Sequence, residues 1–365
     1  MNILVFIIVL GILIFVHELG HFSFAKLFKI RVDEFGFGYP PRIAKIGKWK
    51  ETVLTINWIP FGGFVKIFGE ADDGRELSDQ EKKESLIYKP RWQQFLVMFA
   101  GVLFNFLFAW LLFSALYFSG VTASLSSVPE NYKVHDTRVV VSSISEGSPA
   151  FEAGLQAGDE IKELFSQDFQ IPMTVENIDE NIGFFNEQGE KGEEAGLVVL
   201  RDGELTIIEV QPVEDIIPGK YGIGIAIDKV GKLDLNVVQA VSLGFKNTLF
   251  MTKEIALSFW HLITGSISFD NVSGPVGIVK QIGQASSIGF SYLISFTALL
   301  SINLAILNLI PFPALDGGRI LVILIESIIR KRIKPVITNW INIVGFFVLI
   351  LLMVVVTVKD IIGLF

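Results

Sequence analysis

The chain alternates between long apolar stretches and charged connecting segments. Four stretches are apolar over the length of a membrane span: residues 2–28, which a short polar motif interrupts, and residues 94–120, 285–310 and 336–358, which carry no charge. A helix rises about 1.5 Å per residue and the hydrocarbon core of a bilayer is about 30 Å thick, so each stretch is long enough to cross. The pattern predicts a polytopic α-helical membrane protein with about four transmembrane helices.

The remaining pattern predicts the elements between these helices. Residues 52–68 alternate around Pro60 and Gly63, which indicates a membrane-associated β-hairpin. Residues 137–228 alternate strand-like runs with turns and predict a mixed α/β domain, and residues 233–262 read as an amphipathic interfacial helix. The predicted organisation is therefore helices 1 and 2 with the hairpin in 1–120, the inserted domain, the interfacial helix, and helices 3 and 4 in 285–365.

Composition and charge place these parts relative to the membrane. Hydrophobic residues make up 51% of the chain, more than a soluble protein of this length usually carries. Residues 121–234 hold 22 Asp and Glu against eight Lys and Arg, a net charge of −14, so the rest of the chain carries +6 out of a total of −8. The short basic segments are at 26–91 and around Arg330 to Lys334, which predicts that they are cytoplasmic and the acidic domain extracytoplasmic.

Two further observations narrow the class of protein. The first apolar stretch has no basic residue before it and is followed by Lys26, Lys29 and Arg31, so it reads as a retained helix and not a cleaved signal peptide. The chain contains no cysteine, which excludes disulfides, a thiolate nucleophile and a cysteine-based zinc site. An acidic insert and the lack of a glycine-rich nucleotide loop argue against nucleic-acid binding.

The polar motif in the first stretch is His17-Glu18-Leu19-Gly20-His21. On a helix, positions i and i+4 share a face, so both histidines can bind one metal ion, while Glu18 lies beside them as a general base for a bound water. Ionisable residues are costly within a membrane and indicate a functional site. The motif therefore predicts a zinc centre with His17 and His21 as ligands and Glu18 as the catalytic base.

A catalytic zinc site needs a third protein ligand. The other histidines, His135 and His261, lie in or next to the predicted extracytoplasmic region and are not expected to reach the motif. Asp316 is the sole acidic residue between 285 and 325, in a segment broken by two prolines and two glycines at the cytoplasmic end of the third helix. Irregular backbone at membrane depth is tolerated where it lines a cavity, so Asp316 is the predicted third ligand.

The inserted domain has a recognisable pattern of its own. The run from Gly147-Ser148-Pro149-Ala150 through Ala153-Gly154-Leu155 to Gly158-Asp159 and Ile161 resembles the PDZ domain of bacterial proteases. A glycine-rich turn before a strand edge offers backbone donors to an added peptide or carboxylate. The resemblance implies a peptide or ectodomain contact, with a simple steric cover as the alternative.

The chain resembles the site-2 protease family of intramembrane zinc metalloproteases, and most closely its RseP-like branch. The motifs that carry this resemblance are the His17–His21 motif, the PDZ-like insert, Asn-x-x-Pro-x-Pro-x-Leu-Asp-Gly at 308–317, Gly-Pro-Val-Gly at 274–277, and Gly101 with Asn105. The resemblance covers nearly the whole chain. It implies cleavage of transmembrane substrates such as anti-sigma factors or remnant signal peptides, a bacterial inner-membrane location, zinc on His17, His21 and Asp316, and a substrate-holding role for Asn308. The chain has room for one PDZ domain, where related enzymes often carry two.

The substrate sets a further requirement. A membrane helix hides its carbonyls in its own hydrogen bonds, so the scissile segment must become extended before it is cut. An edge of the predicted 52–68 hairpin could present it as a β-strand, and Ile56→Pro would then abolish cleavage. Two other classes stay open: a catalytically inactive membrane scaffold or chaperone, and a zinc transporter in which the histidines and aspartate form a pathway.

Overall fold

The structure is a computed structural model, and it describes residues 2–70, 77–120, 122–125, 132–145, 147–166, 169–181, 183–201, 203–217, 219–266 and 272–362. The chain divides into two compact units. One consists of residues 1–116 and 241–365, and the other of residues 117–240.

Among the described residues, four helices are long and apolar enough to cross a membrane, which is the number that the hydrophobic pattern predicts. They are α1 (Asn2–Leu27), α3 (Arg91–Phe118), α9 (Phe290–Leu309) and α11 (Pro335–Ile362). The predicted third stretch, 285–310, is not one helix, because Gly289 has a φ of 146° and separates α8 (Pro275–Ile288) from α9. Residues with a Cβ rarely adopt a φ in this range, so a glycine at this position allows the chain to leave the helical conformation.

Two clusters of buried side chains hold α1 in place. Toward its N-terminus, Val9 and Leu13 pack with Ile282 of α8 and with half-buried side chains of α3 and α9. Toward its C-terminus, Phe22 and Ala25 pack with residues from both strands that follow, from α3 and from α10 (Asp316–Ile329). Since each cluster is dispersed in sequence, α1 is fixed along its length by elements from both ends of the chain.

The β-structure of this unit comprises β1 (Val32–Trp49) and β2 (Thr52–Ile67), both of which bend and pair with several partners. Residues 34–37 lie between two parts of β2: Phe35, for example, pairs with Val65 on one side and Leu54 on the other. Residues 42–49 pair with 52–57 on the far side. The order across the sheet is therefore 63–67, 32–39, 52–57, 42–49.

The prediction of a hairpin formed by 52–68 alone is wrong in its pairing. Residues 53–56 have both edges occupied, by 34–37 and by 44–48, so they have no free edge left for 63–66. The tight turn lies at Lys50 and Glu51, and residues 60–63 continue β2 past the 32–39 segment. Ile56 is thus in the interior of the sheet, while residues 63–67 form an edge among the described residues.

The rest of this unit is helical. It contains α2 (Asp79–Glu84), a single 3₁₀ turn at Leu86–Tyr88, and α7 (Val237–Ile263), the counterpart of the amphipathic helix expected at 233–262. The first half of α7 packs against α3: Trp110 Nε1 donates to the Val241 carbonyl at 2.9 Å, and Gly244 lies directly on Ser114. A Cβ at Gly244 would overlap Ser114, so the glycine permits the close crossing.

The second unit is a mixed α/β structure around a seven-stranded sheet. Its strands are β3 (Thr122–Ser124), β4 (Val134–Ile144), β5 (Glu160–Phe165), β6 (Gln170–Pro172), β7 (Ala195–Arg201), β8 (Glu204–Val210) and β11 (Ile225–Leu233). The order across the sheet is β3-β11-β4-β5-β7-β8, and β6 pairs with β5. A small β9–β10 pair (Val213–Ile217, Lys220–Gly222) and helices α4 (Pro149–Glu152), α5 (Ile178–Asn181) and α6 (Phe184–Lys191) complete it. A buried aliphatic core includes Leu164, Leu197 and Val199.

Candidate metal centre

The two histidines of the polar motif lie on one face of α1 and point toward the same place. Their Nε2 atoms are 3.2 Å apart, and both side chains are almost completely buried. The spacing of four residues puts one imidazole a helical turn above the other, as the sequence predicts. The helix thus presents two nitrogen donors to a single position.

Asp316 approaches this position from the other end of the chain. Its Oδ2 is 2.9 Å from His17 Nε2 and 3.2 Å from His21 Nε2, across a sequence separation of 299 residues from His17. It is the first residue of α10, after α9 has ended at Leu309. Two prolines prevent the helix from continuing through the connection, and this break turns the carboxylate toward α1.

A contact from α11 supports the connection that carries Asp316. Ala314 has a φ of 71°, and its N–H donates to Asn342 Oδ1 at 3.4 Å. Gly345, one turn further along α11, faces Pro313 so closely that a Cβ there would lie 2.9 Å from the proline carbonyl oxygen. The loop before Asp316 is therefore packed against the fourth apolar helix.

The second nitrogen of each imidazole is also paired. His21 Nδ1 donates to the Val97 carbonyl at 2.8 Å, which leaves the lone pair of Nε2 toward Asp316 and His17. His17 Nδ1 lies 3.1 Å from Asn105 Nδ2, and Asn105 is fully buried with a side-chain oxygen that has no hydrogen-bond partner. A 180° turn of the amide lets that oxygen accept the Nδ1 proton, which is the tautomer that binds metal through Nε2.

These donors suit a zinc ion. Tetrahedral zinc with ligand bonds of about 2.0 Å separates its ligand atoms by roughly 3.3 Å. The three donor atoms here are 2.9, 3.2 and 3.2 Å apart. They form the sole group of three such ligands among the described residues, and three protein ligands leave a fourth position for water or substrate.

Two glycines make room for this arrangement. A Cβ at Gly101 would lie 2.5 Å from His21 Nε2 and 2.7 Å from His17 Nε2, inside the space of the ligands. A Cβ at Gly20 would overlap the Ala100 carbonyl, so α1 and α3 cross at backbone contact. Small residues at such a crossing let helices approach closely, and here they bring the α3 groups within reach of both imidazoles.

Glu18 lies beside the metal-binding position and next to the edge of β2. Its Cγ would be 2.9 Å from a Cβ at Gly63, and its carboxylate accepts from the Val65 main-chain N–H. Glycine at position 63 therefore allows the edge strand to pass directly over the predicted base. The Val65 N–H is therefore directed toward Glu18.

A cavity of about 840 Å³ opens in front of these groups. Glu18, His17, His21 and Asp316 all line it, and so does Asn308 near the end of α9. Other parts of the wall come from the edge strand, from Tyr39 of β1 and from α11; the side chains of the edge strand and α11 include Phe64, Val65, Asn342, Phe346 and Phe347. Every predicted site residue is thus at one cavity, with apolar helices around it.

Some residues of the site were not singled out by sequence reasoning. Asn342, Glu70 and Arg319 line the cavity but belong to no motif, and the Val97 carbonyl is a main-chain group that no side-chain pattern reveals. Glycines spaced along α1 and α3 were the available signal for a close crossing. His261 is exposed on α7 and His135 lies in the second unit, so neither is in the three-ligand group.

Comparison with known proteins adds a family match over almost the entire chain. The model of peptidase family M50 matches residues 5–352. A predicted zinc metalloprotease of Clostridium perfringens is 37% identical, with 96% of this chain and 95% of that protein aligned. Zinc metalloprotease RasP of Oceanobacillus iheyensis is 30% identical and the regulator of sigma-W protease RasP of Bacillus subtilis 29%, each over 100% of this chain and 99% of the relative.

Proposed function

The chain belongs to peptidase family M50, the site-2 protease family of zinc metalloproteases, and we propose that it hydrolyses peptide bonds within or next to the membrane-spanning segments of other proteins. One observation carries the proposal: three side chains that could hold a zinc ion and an adjacent carboxylate line a single cavity among four helices long enough to cross a membrane. A protease of soluble proteins has no need to bury its catalytic groups in apolar helices.

The roles of the residues follow from their positions. Zinc held by His17, His21 and Asp316 would acidify a water molecule and polarise the scissile carbonyl. Glu18 is placed to accept the proton of the attacking water and to pass it to the leaving amine. Asn105 and the Val97 carbonyl hold the imidazoles in the orientation and tautomer that the ligands require.

The edge of β2 is the proposed platform for the substrate. Residues 63–66 pair on one side with 34–37, and their other edge faces the cavity beside Glu18. A segment of substrate that has lost its helical hydrogen bonds can regain them by adding to this edge as a strand. Asn308, across the cavity, is proposed to hold the substrate backbone near the metal.

We place the protein in a bacterial inner membrane, with the C-terminal end of α1 on the cytoplasmic side. The support is the basic character of the segments at 26–91 and 330–334. Under this arrangement the acidic second unit is extracytoplasmic. Its glycine-rich segment from Gly147 to Gly158, which precedes β5, and its mixed α/β structure support a PDZ-type role in contacting peptides or excluding bulky ectodomains.

The relatives suggest a class of substrate. The name of the Bacillus subtilis protein describes a regulator of sigma-W, and from this we propose a single-pass regulator of a sigma factor as a substrate, with remnant signal peptides as a second candidate. Both present one membrane helix with a short flank. We propose that such a substrate is cut as an extended segment, because a helix hides its carbonyls in its own hydrogen bonds.

The test is a Glu18→Gln variant in purified full-length protein, compared with wild type. We expect about one zinc per chain in both, and loss of cleavage of a model membrane peptide by at least about 100-fold in the variant, since general-base catalysis contributes about 10²–10⁴-fold. Retained cleavage would reject the assignment. If the wild-type protein binds the peptide but does not cleave it, the protein is a scaffold. If it moves zinc across the membrane of vesicles, it is a transporter.

A further inference from the structure

An ion pair lies at the point where the catalytic cavity meets a second, smaller one. Arg319 Nη1 donates to Glu70 Oε1. Both side chains line the large cavity beside the metal-binding residues, and both also line a neighbouring cavity of about 140 Å³. Met98 and Asn342 are the other two residues shared by the two linings. The pair therefore stands between the two spaces.

Each partner is attached to a part of the proposed catalytic apparatus. Glu70 follows the edge strand by three residues, and its N–H donates to the Ile67 carbonyl at 3.3 Å. Arg319 is one helical turn after Asp316 on α10, so its side chain leaves the helix on the same side as the metal ligand. The pair joins the end of the proposed substrate platform to the helix that carries the third ligand.

The pair is only partly buried. The side chains of Glu70 and Arg319 are 32% and 31% exposed, which gives both groups access to the water of the cavities. An ion pair at this exposure is weak, because water screens it and compensates either charge when the partner leaves. A third charged group that enters the cavity can therefore compete for either member.

The direction of the edge strand indicates which part of a bound substrate would lie next to the Glu70–Arg319 ion pair. Gly62 lies against Ile14 and Gly63 against Glu18, and Glu70 comes after the strand has run on toward the C-terminal end of α1. With that end cytoplasmic, an extended substrate lying along residues 63–67 has its cytoplasmic flank at Glu70. In membrane proteins this flank is enriched in Lys and Arg.

We propose that Glu70 is a recognition site for a basic side chain in the cytoplasmic flank of the substrate, and that Arg319 occupies this site until the substrate displaces it. The inference rests on the proposed function and on the proposed sidedness. It assigns Glu70 to substrate selection, with no part in the hydrolytic step. In the free enzyme, Arg319 takes the place of the basic side chain of the substrate and keeps the Glu70 carboxylate paired.

The alternative is that the Glu70–Arg319 pair has only a structural role and connects the strand end to α10. The two roles predict different results for one variant. If the pair only holds Asp316 in place, Arg319→Gln and Glu70→Gln should impair all substrates alike. If Arg319 is a competitor for Glu70, its removal should leave binding of a basic flank intact or improve it. Arg319→Gln therefore separates the two roles.

The experiment uses the full chain in detergent and three peptides that share one membrane segment. Their cytoplasmic flanks carry two Lys, two Gln or two Glu. Dissociation constants are measured on a Glu18→Gln background, and KM and kcat on the active background, for the wild-type pair, Glu70→Gln, Glu70→Lys and Arg319→Gln. The matched control is Glu84→Gln, because Glu84 forms a partly exposed pair with Arg31 at 3.8 Å and lines neither cavity.

With the wild-type pair and in the control, we expect the Lys flank to bind about five-fold more tightly than the Gln flank, the effect of one partly exposed ion pair. Glu70→Gln should abolish the preference, Glu70→Lys should turn it toward the Glu flank, and Arg319→Gln should keep or enlarge it. The effect should appear in KM, with kcat and zinc content unchanged.

A Lys preference that survives Glu70→Gln would overturn the inference, and so would equal loss of all three peptides in Arg319→Gln with zinc retained. Binding and cleavage are read separately, so the two proposals fail separately. Flank-dependent binding without any cleavage by the active protein would reject the protease assignment and leave recognition by Glu70 standing.

Discussion

The amide of Asn105 lies 3.1 Å from His17 Nδ1, on the side of the imidazole opposite Asp316. The two residues are 88 positions apart and meet because α1 and α3 cross at Gly20. Asn105 is completely buried, and the His17 imidazole is the hydrogen-bonding partner of its side-chain amide. α3 supplies none of the three proposed metal ligands, yet its Asn105 amide contacts the imidazole of one of them.

Asn105→Ala should weaken metal binding while the fold persists. Loss of an outer partner of a ligating histidine typically lowers metal affinity by about 10- to 100-fold. The measurement is zinc retention against a competing chelator, with circular dichroism as the check on folding. An affinity equal to that of wild type would show that Asn105 does not orient His17.

Gly101→Ala should remove the metal site by steric overlap. The new Cβ would lie 2.5 Å from His21 Nε2, and both imidazoles are held too firmly by α1 and α3 to move aside. We expect less than about a tenth of the wild-type cleavage, together with loss of zinc, in line with the 10- to 100-fold cost of disturbing metal ligands.

The matched control for that substitution is Gly47→Ala. Position 47 is also glycine, but a Cβ there meets no atom within 4 Å. Cleavage and zinc content should stay at the wild-type level in the control. If both variants keep full activity, the close packing of Gly101 against the ligands is not required.

Val65→Pro should weaken substrate binding without loss of the metal. Proline removes the N–H that faces the cavity, and an added strand then lacks one of its main-chain donors. The experiment uses a Glu18→Ala background, where the contact between the Val65 N–H and the Glu18 carboxylate is already absent. We expect about a ten-fold rise in the dissociation constant of a membrane peptide, the cost of one hydrogen bond of about 1.4 kcal/mol.

Val65→Ala keeps the N–H and serves as its control, with unchanged binding expected. Ile56→Pro, by contrast, should disrupt the sheet itself, since Ile56 pairs with Phe37 on one side and Ala44 on the other. Equal binding by Val65→Pro and wild type would argue that the substrate does not add to the 63–67 edge.

Arg201→Ala should destabilise the second unit. Asp159 is 2% exposed and accepts two hydrogen bonds from Arg201, at 2.7 and 2.6 Å, as well as one from the Gln156 N–H. Removal of one partner from a buried ion pair costs about 3–5 kcal/mol, because the remaining charge stays buried. Hydrogen exchange of residues 134–233 as a function of denaturant should report the loss.

Lys191→Ala is the comparison for that variant. Its pair with Glu187, at 2.7 Å, is on the surface of α6, and exposed pairs contribute about 1 kcal/mol or less. A similar loss of stability in the two variants would show that burial does not set the strength of the Asp159 pair.

Part of the local geometry of the candidate site could be predicted from the sequence. The i, i+4 spacing of His17 and His21 places two donors on one helical face whatever the rest of the chain does, because that periodicity belongs to the helix itself. Apolar length likewise indicated the four long helices, and the proline- and glycine-broken segment around Asp316 indicated a place where backbone departs from a helix.

Only the tertiary structure determined which segments distant in sequence contact each other. The pairing of residues 63–67 with 34–37 instead of 53–56 follows from competition for strand edges, which alternation within one segment does not reveal. The same holds for Asn105 behind His17, for Asn342 behind the Asp316 loop, and for Glu70 opposite Arg319. These relationships join residues tens to hundreds of positions apart, and a periodic pattern carries information only about neighbours on its own helix or strand.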